Sequence, residues 1–186
     1  MYYFIYPSKD TYIYELNANF EKNFGGDNSL VLKKDMDGDG TINSVSRILL
    51  HFDLTGISKS LSSGEITSSL DSDATLRNPK YYLRLYENKT SELNPSYQLD
   101  AFPLSQSWEE GTGYDTQDPN SRDGANWGKT NESFDSSTWV KTSSSDTGSR
   151  PINGGGSWVT GSGHEASQSF SYQSPDVNMD ITDIVN

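Results

Sequence analysis

The sequence predicts an all-β chain, a jelly-roll-like antiparallel β-sandwich with long loops, and three observations carry that prediction. Helical periodicity is nearly absent. Short β-rich runs recur instead, separated by clusters of Gly, Asn, Asp, Ser and Pro. Apolar residues are only 32% of the 186, yet 11 Tyr, 7 Phe and 4 Trp supply enough buried area per residue for a core. The length suits a single domain spanning 1–186, and no internal repeat or clean boundary divides it.

The runs predict strands at Thr11–Tyr14, Leu30–Lys33, Ser46–Leu54, Tyr81–Tyr86, Tyr97–Pro103, Ser157–Thr160, Ser167–Tyr172 and Val177–Asp180. The plainest is Ser46–Leu54. Ile48, Leu50, Phe52 and Leu54 fall on one face, and Arg47, Leu49, His51 and Asp53 on the other. The first set is the expected core face, with Leu50 and Phe52 buried. In Tyr81–Tyr86 the residues Tyr81, Leu83 and Leu85 share one side. Ser58–Asn78 and Glu109–Ser157 read as long loops, the second carrying Trp127 and Trp139, and Trp108, Trp127, Trp139 and Trp158 are expected to do the pinning. At the C-terminal end, Asp180 or Thr182 caps a short helix carrying Ile181, Ile184 and Val185.

Charge removes whole classes of function. The net charge is −12, with no basic stripe, so phosphate backbones are repelled and nucleic-acid binding is disfavoured. The absence of cysteine excludes disulfides, thiolate metal sites and cysteine catalysis. No stretch approaches the roughly 20 apolar residues that span a bilayer, so no membrane partner is expected. Met1-Tyr2-Tyr3-Phe4-Ile5-Tyr6-Pro7 lacks a basic n-region and does not read as a secretory signal, which predicts a protein made and assembled in a cytoplasm.

Seven landmarks follow one another along the chain. They are Pro7–Glu15, Asn23-Phe24-Gly25-Gly26 with Leu30-Val31-Leu32, Ser46–Leu54, Tyr82–Tyr86, Ser107-Trp108-Glu109-Glu110-Gly111, Asp123-Gly124-Ala125-Asn126-Trp127 and Met179–Val185. The series resembles the DNRLRE-type carbohydrate-binding-module family, and looks most like the versions in structural proteins of tailed bacteriophages. That resemblance implies a β-sandwich with a binding or structural role and no catalysis. It also implies further strands after Val185, which this sequence does not contain. Either the native chain continues, or a neighbouring chain supplies the closing strands. The leading expectation is therefore a virion protein decorating head, neck or tail, whose partners are other virion proteins or copies of itself. The alternative is a carbohydrate-binding module of a secreted or cell-surface polysaccharide-acting protein, hence extracellular, with glycans as partners.

Two candidate sites emerge. Asp35, Asp37, Asp39, Thr41 and Asn43 place oxygens at alternate positions, with Gly40 and Ile42 between them, as in an EF-hand-type loop; calcium is the one cofactor the sequence suggests. Position 12 of that loop is Ser46 rather than an acid, and the competing reading is a polar hairpin turn. Trp127, Trp139 and Trp158 are candidates for stacking on sugar rings, against the plainer reading that they anchor the core. Glu109 and Glu110 are adjacent, so on a strand they point to opposite faces and cannot flank one glycosidic bond. His51 and His164, the two histidines, have no nucleophile or metal triad in the pattern. Asn88-Lys89-Thr90 and Asn131-Glu132-Ser133 match the glycosylation sequon but carry little weight without a secretory leader.

Overall fold

The computed structural model describes residues 2–15, 19–40, 42–63, 79–88, 96–132, 137–140, 154–171 and 176–185. The protein is all-β. Its elements are β1 (Lys9–Tyr14), β2 (Lys34–Met36), β3 (Ile42–His51), α1 (Thr55–Ser62), β4 (Tyr82–Leu85), β5 (Ser96–Ala101), β6 (Ala166–Ser171), β7 (Val177–Asp180) and α2 (Thr182–Val185). Each pair of neighbouring strands runs antiparallel. The chain folds as two compact units, the first from Met1–Asp53 and Leu104–Trp158, the second from Leu54–Pro103 and Val159–Asn186.

The first unit holds a three-stranded sheet ordered β1-β3-β2. The ten residues of β3 serve two neighbours: Ile42 to Val45 pair with β2, and Ser46 to His51 with β1. The sequence expectation of a strand at Leu30–Lys33 is displaced onto Lys34–Met36. Ser46 explains the displacement. Its hydroxyl donates to the Val31 carbonyl at 2.7 Å and accepts the Lys33 N–H at 2.7 Å, beside one backbone bond from the Ser46 N–H to the Lys33 carbonyl at 2.8 Å, so a side chain takes part of the ladder's place there.

Beyond the buried Ser44 and Ser46, the buried apolar side chain of β3 comes from the face opposite to the expected one. Leu49 is buried and joins Ile13, Trp108, Ala125, Trp127 and Trp139 in one cluster, whereas Leu50 and Phe52 are only half-buried. Both faces carry apolar side chains, so alternation alone cannot say which is covered. The decision comes from the tryptophans of the 104–158 segment, which pack on the side of Leu49 and its neighbour Ile13. β1 is in turn closed on its second face by Tyr12, whose ring stacks on Phe24 with centroids 4.3 Å apart. The Tyr12 hydroxyl donates to Asp27 at 2.9 Å, and burial, with Asp27 beside it, raises its pKa well above the usual phenol range.

Little of the 104–158 segment is regular, so its backbone groups need side-chain partners. Asn23, fully buried, donates from Nδ2 to the carbonyls of Glu110 at 2.6 Å and Ala125 at 3.0 Å; its Oδ1 accepts the N–H of Gly25 and of Gly113. Asn126 works alike: Oδ1 accepts from the N–H of Gly128 and of Lys129, and Nδ2 donates to Glu132 at 2.8 Å. Gly25 is required by proximity rather than by an unusual φ, for a Cβ there would lie 2.1 Å from the Glu110 carbonyl oxygen. Gly155 is constrained both ways, with φ +81° and a would-be Cβ 2.3 Å from Arg47 Nη1.

The second unit pairs β4 with β7 and β5 with β6. Leu83, Leu85, Val177 and Met179 from one sheet share a core with Tyr97, Leu99, Ala101, Ala166 and Phe170 from the other. Directly opposed across the ladder, the Tyr97 and Phe170 rings stack at 4.6 Å and 7°. The alternate residues face outward: Tyr82 and Arg84 with Asn178 and Asp180 on one sheet, and Ser96, Gln98 and Asp100 with Ser167, Ser169 and Ser171 on the other. Of the strand expected at Ser157–Thr160 there is a single bridge, Leu104 to Trp158, which belongs to the first unit. Helix α1, built from weak helix formers, has no counterpart in the sequence reading. The terminal helix is as expected, with Asp180 Oδ1 taking the Thr182 N–H at 3.0 Å.

Leu49→Ala should therefore cost about 2–5 kcal/mol in urea unfolding, the range for a buried aliphatic, and Leu50→Ala clearly less. Equal losses would show that the strand's faces are not distinguished in the way described.

Candidate functional site

The acidic loop forms the β2–β3 hairpin. Asp35 lies on β2, where its Oδ2 accepts from the Tyr14 hydroxyl at 2.7 Å and from Ser44 Oγ at 2.8 Å, and its Oδ1 pairs with Lys33 Nζ at 3.0 Å. The Tyr14 hydrogen bond, helped by Lys33 and Ser44, holds the Asp35 pKa below the usual carboxylate value. Asp37 closes the turn: its carbonyl accepts the Gly40 N–H at 2.9 Å, and its Oδ1 accepts from Asn43 Nδ2 at 2.5 Å. Asp39 is exposed, and Thr41 lies outside the described residues. Among the described residues no group of three or more His, Asp or Glu side chains is gathered closely enough to hold a metal ion. Asp35 thus faces β1 and β3, while Asp37 and Asn43 bond to each other at the turn.

The tryptophans are distributed differently from a sugar-binding row. Trp127 is 2% exposed and Trp139 7%, both inside the cluster on Leu49. Trp139 Nε1 donates to the Asn126 carbonyl at 2.9 Å. Neither offers a ring face to solvent. Trp158 is half-buried, and the Arg47 guanidinium lies 3.7 Å from its ring centroid and 4.7 Å from that of Trp127. The cation between the two indoles takes one face of each.

The remaining polar candidates have structural partners. Glu109 pairs with Lys9 at 3.0 Å, and Glu110 accepts the Asp10 N–H at 2.8 Å, so the two acids serve separate contacts along β1. Ser8 Oγ and His51 Nδ1 lie 2.7 Å apart at the exposed end of the β1–β3 ladder. His164 is exposed in a turn closed on the Gly161 carbonyl.

An exposed aromatic on a ladder, with a second just past it, occurs in the second unit. On the outer face of β4, Tyr82 is 48% exposed, and Tyr86, just past the strand, 78%. Tyr82 pairs with Asp180 in the ladder, and Tyr86 follows directly on the last paired residue, Leu85. Arg84 lies between them, its Nε donating to Asn178 Oδ1 of β7 at 3.2 Å. The Asn178 N–H is held by Gln168 Oε1 at 2.8 Å, and Asp176 Oδ1 accepts the Glu87 N–H at 2.9 Å. Asp180 stands opposite Tyr82 in the register. Hydrogen bonds from the Thr182 side chain and backbone lower its pKa, with a smaller contribution from Lys80. An open depression of about 350 Å³ adjoins Asp180, lined by Lys80, Glu165, Thr182 and Asp183 among others. The N-terminal residues Tyr2, Tyr3, Phe4 and Tyr6 are also exposed, but residues 2–7 carry no regular structure to fix their spacing.

This face, with Tyr82 on the ladder, Tyr86 just past it and hydrogen-bonding groups between, was within reach of the sequence. The alternation that puts Leu83 and Leu85 inside necessarily puts Tyr82, Arg84 and Tyr86 outside; the weight given to tryptophan hid it.

A family model, that of carbohydrate-binding module family 96, matches residues 1–178. The chain belongs to that family. Searches of curated proteins and of solved structures returned no match. Membership in carbohydrate-binding module family 96 covers both compact units and reaches into β7. It agrees with the carbohydrate-binding-module part of the resemblance read from the landmarks; the link to tailed phages is no part of the match.

Two measurements test the hairpin. The lowered Asp35 pKa means that the unfolded chain binds a proton more readily than the folded one there. Its contribution to stability is present above the unfolded carboxylate pKa and is lost as pH falls towards the folded value. Asp35→Asn should flatten that part of the fall in melting temperature between about pH 6 and pH 3. Calcium in the loop is a proposal of its own, with a rise in melting temperature in excess calcium over chelator, lost in Asp37→Asn, as its signature. An unchanged temperature would leave the hydrogen-bonded hairpin as the loop's whole content.

Proposed function

We propose that this protein is a non-catalytic carbohydrate-binding module that engages glycan through the β4–β7 face. Family membership carries the reading. The face supplies chemistry suited to it: rings to cover the C–H faces of pyranoses, and Arg84, Asn178 and Asp180 to exchange hydrogen bonds with hydroxyls. A carbohydrate-binding module needs no acid–base pair, and Glu109 and Glu110 are each engaged by β1. The glycan reading was the alternative in the sequence, and the family match supports it better than the virion role that led there.

Affinity electrophoresis through gels containing soluble polysaccharides tests the proposal. Tyr82→Ala and Tyr86→Ala should each weaken retention roughly 2- to 10-fold, the scale of losing one ring-stacking contact, with the melting temperature unchanged because both rings are exposed. Retention that survives the double variant would move the site elsewhere.

A further inference from the structure

We infer that the β2–β3 turn is a site of spontaneous modification: Asp37 cyclises onto the Gly38 nitrogen and reopens as isoaspartate, while the same dipeptide at Asp123-Gly124 is protected by the fold. The chain has three Asp-Gly pairs, Asp37-Gly38, Asp39-Gly40 and Asp123-Gly124. Sequence alone ranks them together, because a following glycine has no side chain to shield its nitrogen. Their surroundings separate them.

One bond closes the turn, from the Gly40 N–H to the Asp37 carbonyl at 2.9 Å, which makes Gly38 and Asp39 its central residues. The N–H of the first central residue takes no part in such a closure, and that of Gly38 has no hydrogen-bond partner among the described residues. Asp37, Gly38, Asp39 and Gly40 are all exposed, and a Cβ built on Gly38 would meet nothing within 4 Å. The peptide between Asp37 and Gly38 therefore has room to rotate until its nitrogen faces Cγ. A single bond restrains the Asp37 carboxyl, from Nδ2 of the exposed Asn43 to Oδ1 at 2.5 Å. At Asp39 the attacking nitrogen is the one whose N–H closes the turn, so reaction there first has to open it. Asp123 is held on both oxygens, Oδ1 by the Thr112 N–H and Oδ2 by the Thr112 hydroxyl, at 2.7 Å each. Gly124 is buried, and a Cβ there would lie 2.5 Å from Asn23 Nδ2 and from the Glu110 carbonyl oxygen. A ring cannot form at that position without loosening Asn23 from the Glu110 and Ala125 carbonyls.

The reaction needs water and no other reagent. The Gly38 nitrogen bonds to Asp37 Cγ, the Cγ–OH bond breaks, and the hydroxyl leaves with the amide proton as one water molecule. The cyclic imide then takes a water back at one of its two carbonyls. Opening at Cγ restores aspartate. Opening at the Asp37 main-chain carbonyl leaves the chain running through Cβ and Cγ, with a free α-carboxylate. No electrons are transferred and the composition is unchanged. The product has one more methylene in the main chain beside the Met36–Ile42 pair and no longer presents the carboxyl that Asn43 holds, so the hairpin loosens.

The test holds the full chain at neutral pH and physiological temperature for several weeks, folded in buffer and unfolded in guanidinium chloride. Peptide mapping with electron-transfer fragmentation then distinguishes isoaspartate from aspartate at each position. Deamidation at Asn153-Gly154, whose asparagine lies outside the described residues, is told apart by its change in mass. In the folded chain, isoaspartate at position 37 should exceed that at 39 and at 123. The excess over 123 should be at least about tenfold, the factor that ~1.4 kcal/mol of local opening supplies. In guanidinium chloride the three positions should converge. Gly38 is not in the left-handed region and has open space for a Cβ. Gly38→Ala should therefore keep the melting temperature and remove most of the isoaspartate at 37. Folded chains that modify Asp123 as fast as Asp37 would overturn the inference. A lead at Asp39 would overturn the choice of the Gly38 nitrogen. The same ranking in guanidinium chloride as in buffer would also overturn it, because the selectivity would then belong to the sequence and not to the turn.

Discussion

A long irregular segment can enter a protein core only if its peptide groups find partners there, and in the first unit two asparagine side chains supply them. The amides of Asn23 and Asn126 carry both donor and acceptor, so each mimics a stretch of neighbouring backbone. With those groups satisfied, Trp108, Trp127 and Trp139 can be delivered to Leu49 and Ile13 from residues far along the chain. Everything else in the unit follows from that delivery: which face of β3 is interior, why Gly25 and Gly155 admit no side chain, and why Arg47 lies between two indoles.

Several landmarks that suggested a family in the sequence prove to be this scaffolding. Asn23-Phe24-Gly25 contributes the amide, the ring under Tyr12 and the close approach to Glu110; Asp123-Gly124-Ala125-Asn126-Trp127 contributes the second amide and a core ring. Asp123 itself ties its loop together. Burial opposes its ionisation, but the N–H and hydroxyl of Thr112, at 2.7 Å each, outweigh burial and keep its pKa low. Motifs of this kind identify a fold without locating a ligand. The face we propose for glycan is drawn from β4 and β7, where the residues are ordinary and their arrangement is what matters.

The readable parts of the sequence were those governed by local rules. Strand alternation placed β4, β5, β6 and β7 to within a residue or two, and the Asp180–Thr182 capping was legible from spacing alone. What was not legible depended on partners distant in sequence. Leu49 rather than Leu50 is interior because tryptophans at 108, 127 and 139 arrive on its side, a fact that no window around β3 contains. The shift from Leu30–Lys33 to Lys34–Met36 goes with one hydroxyl, Ser46, which binds Val31 and Lys33 beside a single backbone bond to Lys33. For the sugar-binding candidates, the misleading signal was ring size: large indoles are the best sugar platforms and also the best core fillers, and in Trp127 and Trp139 the second use prevails.

The interleaving of the two units has a consequence for how the protein is made. Each unit is assembled from two separate stretches, and residues 104–158 of the first are inserted within the sequence of the second. As the chain emerges from the ribosome, β1 and β3 are exposed before any of the tryptophans that cover Leu49 have been synthesised, and β4 waits for β7 across more than ninety intervening residues. Neither core can close until the last of its own segments has been made, so both hydrophobic surfaces stay open over that stretch of synthesis, when pairing with other chains competes with folding. For the same reason neither unit can be exchanged between genes as one contiguous cassette; selection has to act on the pair together.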